Sequence, residues 1–196
     1  MFFKETIKRA RESFLGAFNL KYDEQYKGRM KGEFHIVCRD AITGHIVEER
    51  RGHNIIVNTA SILIARLLKD SREPDAGISY LAVGTGAAGW NLQNPPQPTV
   101  SQTALYSEIA RKAFTTPDVN FIDPETGDPT VVPTGVVDFA MTFAETEAVG
   151  PLVEMGLFGG DASDLRDSGT EVNYRTFPVL NKTSSMVMTI TFRITA

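Results

Sequence analysis

Hydrophobic and polar residues follow two different patterns along this chain of 196 residues, one near the start and another over most of the remaining chain. Large apolar residues recur at helical spacings of four and seven in the first segment: Phe3, Ile7, Phe14 and Phe18. Residues at these spacings lie on one face of a helix, and the charged residues between them lie on the other face. The pattern predicts an amphipathic helix over residues 3–18, joined by a polar connector to the remainder at residue 33.

A period of two begins in the next segment and indicates strands. Phe34, Ile36 and Cys38 alternate with polar residues, which is typical of a half-buried strand. Asp40 and Gly44 follow, and both favour a tight turn. The side chain of Asp accepts hydrogen bonds from backbone N–H groups of the turn, and Gly adopts a positive φ. A hairpin is therefore predicted here. Further strands are predicted over residues 55–57, 78–83, 137–143, 152–158 and 186–194.

Two short helices are predicted within this strand-rich part. Residues 58–68 are apolar over a wide arc, through Ile62, Leu67 and Leu68, so we expect a helix buried against a sheet. Residues 103–112 have the spacing of a second, shorter helix. Prolines are dense between residues 95 and 133, which excludes a long helix there.

This order of segments predicts the fold class. Seven or eight strands with one or two short helices indicate a mainly β protein, and we expect an antiparallel β-sandwich, jelly-roll-like, with long loops. The predicted sandwich body covers residues 33–196. Residues 1–32 form what we call the N-terminal arm, which is helical and lies outside the body.

The net charge of −4 divides unevenly between arm and body. Residues 1–32 carry eight basic and four acidic side chains, net +4, whereas the body carries twelve basic and twenty acidic ones, net −8. An acidic body argues against nucleic acid as the main partner, because binding phosphates requires a basic surface. The single cysteine excludes an internal disulfide.

No stretch is apolar enough for a membrane span or a signal peptide, so we expect the protein to remain in the cytoplasm in which it is made. The apolar face of the arm has three possible partners: its own body, a neighbouring subunit or a membrane. A protein partner, either its own body or a neighbouring subunit, is favoured over a membrane. Glu5 and Glu12 reduce the positive charge that would bind the arm to an anionic membrane surface.

The candidate chemistry of the chain does not amount to a catalytic, metal or cofactor site. Residues 84–86 (GTG) follow a strand, but no lysine follows them and no helix begins there, so a turn is favoured over a phosphate loop. His35 and Cys38 point to opposite faces of a strand and so do not share a metal. Glu154 is interpreted as a charge at the rim of a strand.

Several ordered motifs resemble a group of virion proteins of tailed bacteriophages. They lie at residues 54–59 (NIIVNT), 80–86 (YLAVGTG), 103–111 (TALYSEIAR), 154–160 (EMGLFGG) and 182–192 (KTSSMVMTITF). The resemblance covers roughly residues 33–196 and implies a tail-, baseplate- or fibre-associated protein without catalytic residues. The arm lies outside it.

Together these patterns predict a non-enzymatic structural component of a phage virion, assembled in the host cytoplasm. We expect a homo-oligomer that also contacts other virion proteins through Phe3, Ile7, Phe14 and Phe18 of the arm. One alternative is a capsid-decorating cement protein. Another, of a different class, is a carbohydrate-binding adhesion module, in which Trp90 and Tyr106 would stack on sugar rings.

Overall fold

The computed structural model describes residues 30–69 and 76–196. The predicted helix over residues 3–18, with the four apolar positions of the arm, lies outside the described residues. The mainly β class is confirmed, because 52% of the described residues are in strands and they contain one α-helix. The first strand begins at Lys31, two residues before the predicted start of the body.

The described strands form one antiparallel sheet of ten strands, in the order β4-β3-β8-β9-β2-β1-β10-β7-β5-β6. Their bounds, with those of the helix, are β1 (Lys31–Asp40), β2 (Ile46–Ile56), α1 (Asn58–Lys69), β3 (Ala76–Gly84), β4 (Glu108–Ala113), β5 (Val119–Ile122), β6 (Pro129–Thr130), β7 (Val136–Phe143), β8 (Gly150–Gly160), β9 (Thr170–Lys182) and β10 (Met186–Thr195). A 3₁₀ turn at Thr116–Asp118 precedes β5.

The sheet has two halves joined by a short contact. β2 lies beside β1 along most of its length, but it meets β9 only through Ile55 opposite Tyr174 and Ile56 opposite Asn173. Buried side chains from both halves nevertheless belong to one hydrophobic core. That core includes Ile36 of β1, Phe192 of β10, Leu81 of β3, Met155 of β8 and Leu180 of β9.

The predicted hairpin is confirmed. Phe34, Ile36 and Cys38 are buried on one face of β1. The turn forms as expected, because Oδ1 of Asp40 accepts hydrogen bonds from the backbone and hydroxyl of Thr43 at 2.7 and 2.8 Å. Gly44 adopts a φ of 72°, in the left-handed region that glycine enters without steric cost.

Two predictions of local structure are wrong. The segment predicted as a short helix over residues 103–112 is a loop followed by β4, because residues 108–113 pair with β3. The run over residues 55–57 is not a separate strand, since its first two residues are the end of β2.

The prediction that α1 is buried is also wrong in part. Ala60 and Leu63 are buried, and the hydroxyl of Thr59 donates to the carbonyl of Glu171 in β9 at 2.6 Å. However, the side chains of Ile62 and Leu68 are 56% and 82% exposed. The helix packs on β9 and β3 through its buried side, and Ile62 and Leu68 lie on its exposed side.

Candidate functional site

Glu154 of β8 is a buried carboxylate that accepts hydrogen bonds from three separate segments of the chain. It is 0% exposed, which corrects its interpretation as a rim charge. Oε1 accepts hydrogen bonds from the backbone N–H of Gly86 at 3.0 Å and of Ser107 at 2.8 Å. Oε2 accepts from the N–H of Tyr106 at 3.1 Å and from the hydroxyl of Tyr174 at 2.7 Å. We call these five residues the Glu154 cluster.

The cluster positions both ends of the long loop between β3 and β4, and glycine makes the approach possible. A Cβ on Gly84 would lie 2.5 Å from Oε1 of Glu154 and 2.5 Å from the carbonyl oxygen of Ser107. Gly84 ends β3, Gly86 has a φ of 72°, which glycine adopts without steric cost, and the hydrogen-bonded turn follows at residues 87–90. The backbone N–H of Gly86, which would face a phosphate in a phosphate-binding loop, donates to the internal carboxylate of Glu154.

Glu171 of β9 is a second buried carboxyl group, and it has a different environment. It is 1% exposed, and neither of its oxygens has a hydrogen-bond partner among the described residues. Burial, and secondarily the charge of Glu154, raise its pKa to about 9. The side chain is therefore uncharged at neutral pH, since the low dielectric favours the protonated form.

The two aromatic residues predicted to face a ligand are brought together by the fold. The rings of Trp90 and Tyr106 meet edge to face, with centroids 4.8 Å apart. Trp90 also packs on Gly86, where an added Cβ would lie 2.5 Å from the Trp ring. Tyr106 is 57% exposed at the edge of a hollow of about 30 Å³. One surface of the Trp ring is thus used in packing, and Tyr106 is the more accessible of the two.

An ion pair between Glu108 and Arg111 fixes the loop after β8. The Nε of Arg111 lies 2.6 Å from Oε1 of Glu108, and both side chains are at least 97% buried. Nη1 of Arg111 donates to the carbonyl of Ser163 at 2.8 Å and to Oγ of Ser168 at 2.7 Å. Sequence reasoning missed this pair because it assigned residues 103–112 to a short helix. The signal in the sequence that could have found the pair is that Glu108 and Arg111 both fall within the motif at residues 103–111.

A shallow groove of about 260 Å³ lies on the other half of the sheet. Its floor carries a row of charged residues in register: Glu33 of β1, Arg193 of β10 and Asp138 of β7. Arg193 donates to both oxygens of Asp138 at 2.7 and 2.8 Å, and burial raises the pKa of Glu33. The charges of Arg193 and Asp138 therefore neutralise each other, and their two parallel hydrogen bonds fix both side chains.

Within residues 30–69 and 76–196, no group of three His, Cys, Asp or Glu side chains is arranged to hold a metal ion. The same residues include no helix with the length and hydrophobicity to cross a membrane.

Comparisons with known protein families, with curated proteins and with solved structures find no match to this chain. The functional proposal therefore depends on the sequence motifs and on the geometry described above.

Proposed function

We propose that this protein is a non-enzymatic structural component of a tailed-phage virion, located at the tail, the baseplate or a fibre attachment site and assembled in the host cytoplasm. The ordered motifs of residues 33–196 support the phage assignment. The N-terminal arm is the proposed means of assembly, into a homo-oligomer and with other virion proteins.

One observation carries the structural, non-catalytic part of this proposal. The Glu154 cluster joins three motifs that are far apart in sequence, through Glu154, Gly86 and Ser107. Both oxygens of the carboxylate are satisfied by internal donors, so they serve to hold loops in place. A carboxylate that acts on a substrate must instead reach the proton or the atom that it attacks. The motif residues are thus used to stabilise the loops of the body.

The shared core supports the finer part of the fold prediction, a sandwich of two layers. Ile36 and Phe192 come from one half of the sheet and Leu81 and Met155 from the other, yet they pack in one cluster. Two sheet halves that bury apolar faces against each other are the usual way to build such a core. A body of this kind suits a part that is fixed within a larger assembly.

Localisation on purified particles tests the proposal. A gold-labelled antibody against the protein, viewed by electron microscopy on particles of the phage that encodes it, is expected to mark the tail or baseplate. Label distributed over the whole head would instead indicate a capsid-decorating protein. Absence of the protein from purified particles, or a gene outside any phage genome, would overturn the proposal.

A carbohydrate-binding adhesion module is the second candidate. The observation in its favour is that the exposed ring of Tyr106 adjoins Trp90 at the rim of a hollow. Aromatic faces of this kind bind the apolar faces of sugars. Adsorption of particles that carry Trp90→Ala or Tyr106→Ala to host cells separates the two candidates, because only the adhesion module needs these rings for attachment.

A further inference from the structure

The shallow groove over β1, β10 and β7 contains one carboxylate that lacks a hydrogen-bond donor among the described residues. Oε1 of Glu33 lies 3.7 Å from Nδ1 of His53, which is beyond hydrogen-bond range, and no other described residue donates to the Glu33 side chain. The side chain of Glu33 is 13% exposed, whereas that of His53 is 83% exposed. Burial raises the pKa of Glu33, as expected for a carboxylate that has lost water without gaining a donor.

The neighbouring charges of the groove are already paired. Arg193, opposite Glu33 in register, donates from Nε and Nη2 to Asp138 at 2.7 and 2.8 Å. His35 lines the groove too, and its Nε2 lies 2.8 Å from Oε1 of Glu49. Two lining carboxylates against one guanidinium leave a net charge of −1 with histidine neutral, and Glu33 carries that charge.

Apolar side chains line the groove beside this charge. Ile122 of β5, Pro129 of β6 and Ala140 of β7 form that part of its surface. The volume of about 260 Å³ is several times the roughly 30 Å³ of one water molecule, so a long side chain fits. A matching ligand therefore combines a cationic, donor-rich head for Glu33 with an apolar stem for Ile122 and Pro129.

An arginine side chain combines both features. Its stem packs on apolar surface, and its planar guanidinium donates two parallel hydrogen bonds to a carboxylate. Lysine also has a stem and a charge, but its ammonium group is more strongly hydrated than a guanidinium. Arginine is therefore favoured at a partly buried carboxylate such as Glu33.

The charge of the body indicates which kind of protein supplies this arginine. Residues 33–196 carry twelve basic and twenty acidic side chains, net −8, so two identical bodies repel each other and a basic protein is attracted. We propose that the groove binds an arginine side chain from a basic segment of a different protein, with the guanidinium on Glu33 and the stem on Ile122 and Pro129. This contact goes beyond the proposed function, because it assigns a partner to the body and does not depend on the N-terminal arm.

Titration of the full chain with a short peptide tests the proposal. The probe is acetyl-Gly-Arg-Gly-amide, and the readout is the set of backbone amide chemical shifts of the ¹⁵N-labelled protein. We expect saturable shifts at Glu33, Ile122 and Asp138, with a Kd on the order of 1–10 mM for a single side chain. Glu33→Gln should raise that Kd about tenfold or more, because it removes the charged acceptor.

Two controls separate the charge of Glu33 from other effects. Glu145→Gln makes the same change at an exposed residue beyond the far end of β7, and it should leave the Kd unchanged. The same peptide with Gln in place of Arg should give no saturable shift at Glu33, and with Lys it should bind more weakly. The Gln peptide keeps the test valid if Glu33→Gln fails to fold, because it removes the charge from the ligand instead.

Three results would overturn the proposal. The first is an equal response to the Arg and Gln peptides, or an unchanged Kd in the folded Glu33→Gln variant. The second is tighter binding of the Lys peptide than of the Arg peptide. The third is a dimer that sedimentation detects in the parent protein and not in Glu33→Gln, since it would assign the groove to a second copy. None of these results bears on whether the protein is found on particles.

Discussion

The hydroxyl of Tyr174 donates to Oε2 of Glu154 at 2.7 Å, and this bond joins neighbouring strands β9 and β8 inside the protein. Both side chains are at most 1% exposed. Burial and the charge of Glu154 raise the pKa of Tyr174, so the phenol keeps its proton and acts as a donor. The remaining donors to Glu154 are backbone N–H groups of the loop between β3 and β4. The pair thus connects the sheet to its longest described loop.

Replacing Glu154 with Gln should destabilise the protein by about 2–4 kcal/mol. The Gln NH₂ group would face N–H or O–H donors, which leaves buried groups unsatisfied. The measurement is urea unfolding at pH 7. Glu125→Gln is the matched control, since Glu125 is exposed in the turn between β5 and β6. Equal unfolding midpoints for the Glu154→Gln variant and the parent protein would contradict the role assigned to the cluster.

Replacing Tyr174 with Phe removes a single donor and should have a smaller effect. We expect a loss of roughly 1.5–3 kcal/mol, the usual range for a hydrogen bond to a charged group. Combined with Glu154→Gln, the loss should be less than the sum of the two, because the variants share one bond. Strict additivity in urea unfolding would show that the two side chains act independently.

Glu171 should make stability fall as the pH rises. The unfolded chain loses this proton near the ordinary value of 4.5, whereas the folded protein keeps it up to about 9. Its contribution is therefore fully present below pH 4.5 and declines by about 1.4 kcal/mol per pH unit up to pH 9. Glu171→Gln removes this titration. The free energy of unfolding of the variant should therefore rise relative to that of the parent protein between about pH 5 and pH 8.5.

Urea unfolding midpoints at about pH 5, 7 and 8.5 measure this difference. Glu125→Gln again serves as the control, because it changes an exposed carboxylate by the same chemistry. Parallel pH profiles for the Glu171→Gln variant and the parent protein would refute the assignment of a protonated, buried carboxyl group.

Cys38 should be inert to thiol reagents while the protein is folded. Its side chain is 0% exposed, and burial raises the pKa of the thiol to about 11. Only the thiolate reacts, so modification requires unfolding. A colorimetric disulfide reagent should therefore label less than about 0.1 thiol per chain in buffer, and about one in denaturant. Rapid labelling in buffer would show that β1 opens in the folded state.

Trp90→Ala separates the structural proposal from the adhesion alternative. The ring packs on Gly86 and Tyr106, so we expect a loss of about 1–3 kcal/mol in unfolding free energy, with cell adsorption of assembled particles unchanged. Tyr106→Ala is the companion variant, because its ring is more exposed. Normal assembly with lost adsorption in both variants would favour the carbohydrate-binding module.

Local patterns predicted the elements whose partners are near in sequence. The alternation from Phe34 to Cys38 indicates which residues face the core. The hairpin follows because Asp40 and Gly44 form the turn through hydrogen bonds within residues 40–44 and a positive φ. The mainly β class follows similarly, since period-two alternation recurs in the last third of the chain.

The sequence did not predict the features that distant contacts decide. Residues 103–112 have helical spacing, but pairing with β3 makes residues 108–113 a strand, because tertiary pairing outweighs a weak local preference. The apolar arc of α1 looked fully buried, but only one side of it meets the sheet. Of the candidate site, Trp90 and Tyr106 were named from the sequence, and their contact was not.

Glu154 shows most clearly what the sequence determines and what the tertiary structure determines. The sequence by itself determined a strand at residues 152–158 and the need for glycine at the end of β3, because both depend on local alternation and backbone freedom. Only the tertiary structure decided that the carboxylate lies inside, with four donors around it. A buried charge needs hydrogen-bond donors around it, and the donors to Glu154 come from three segments far apart in sequence, which no local pattern contains.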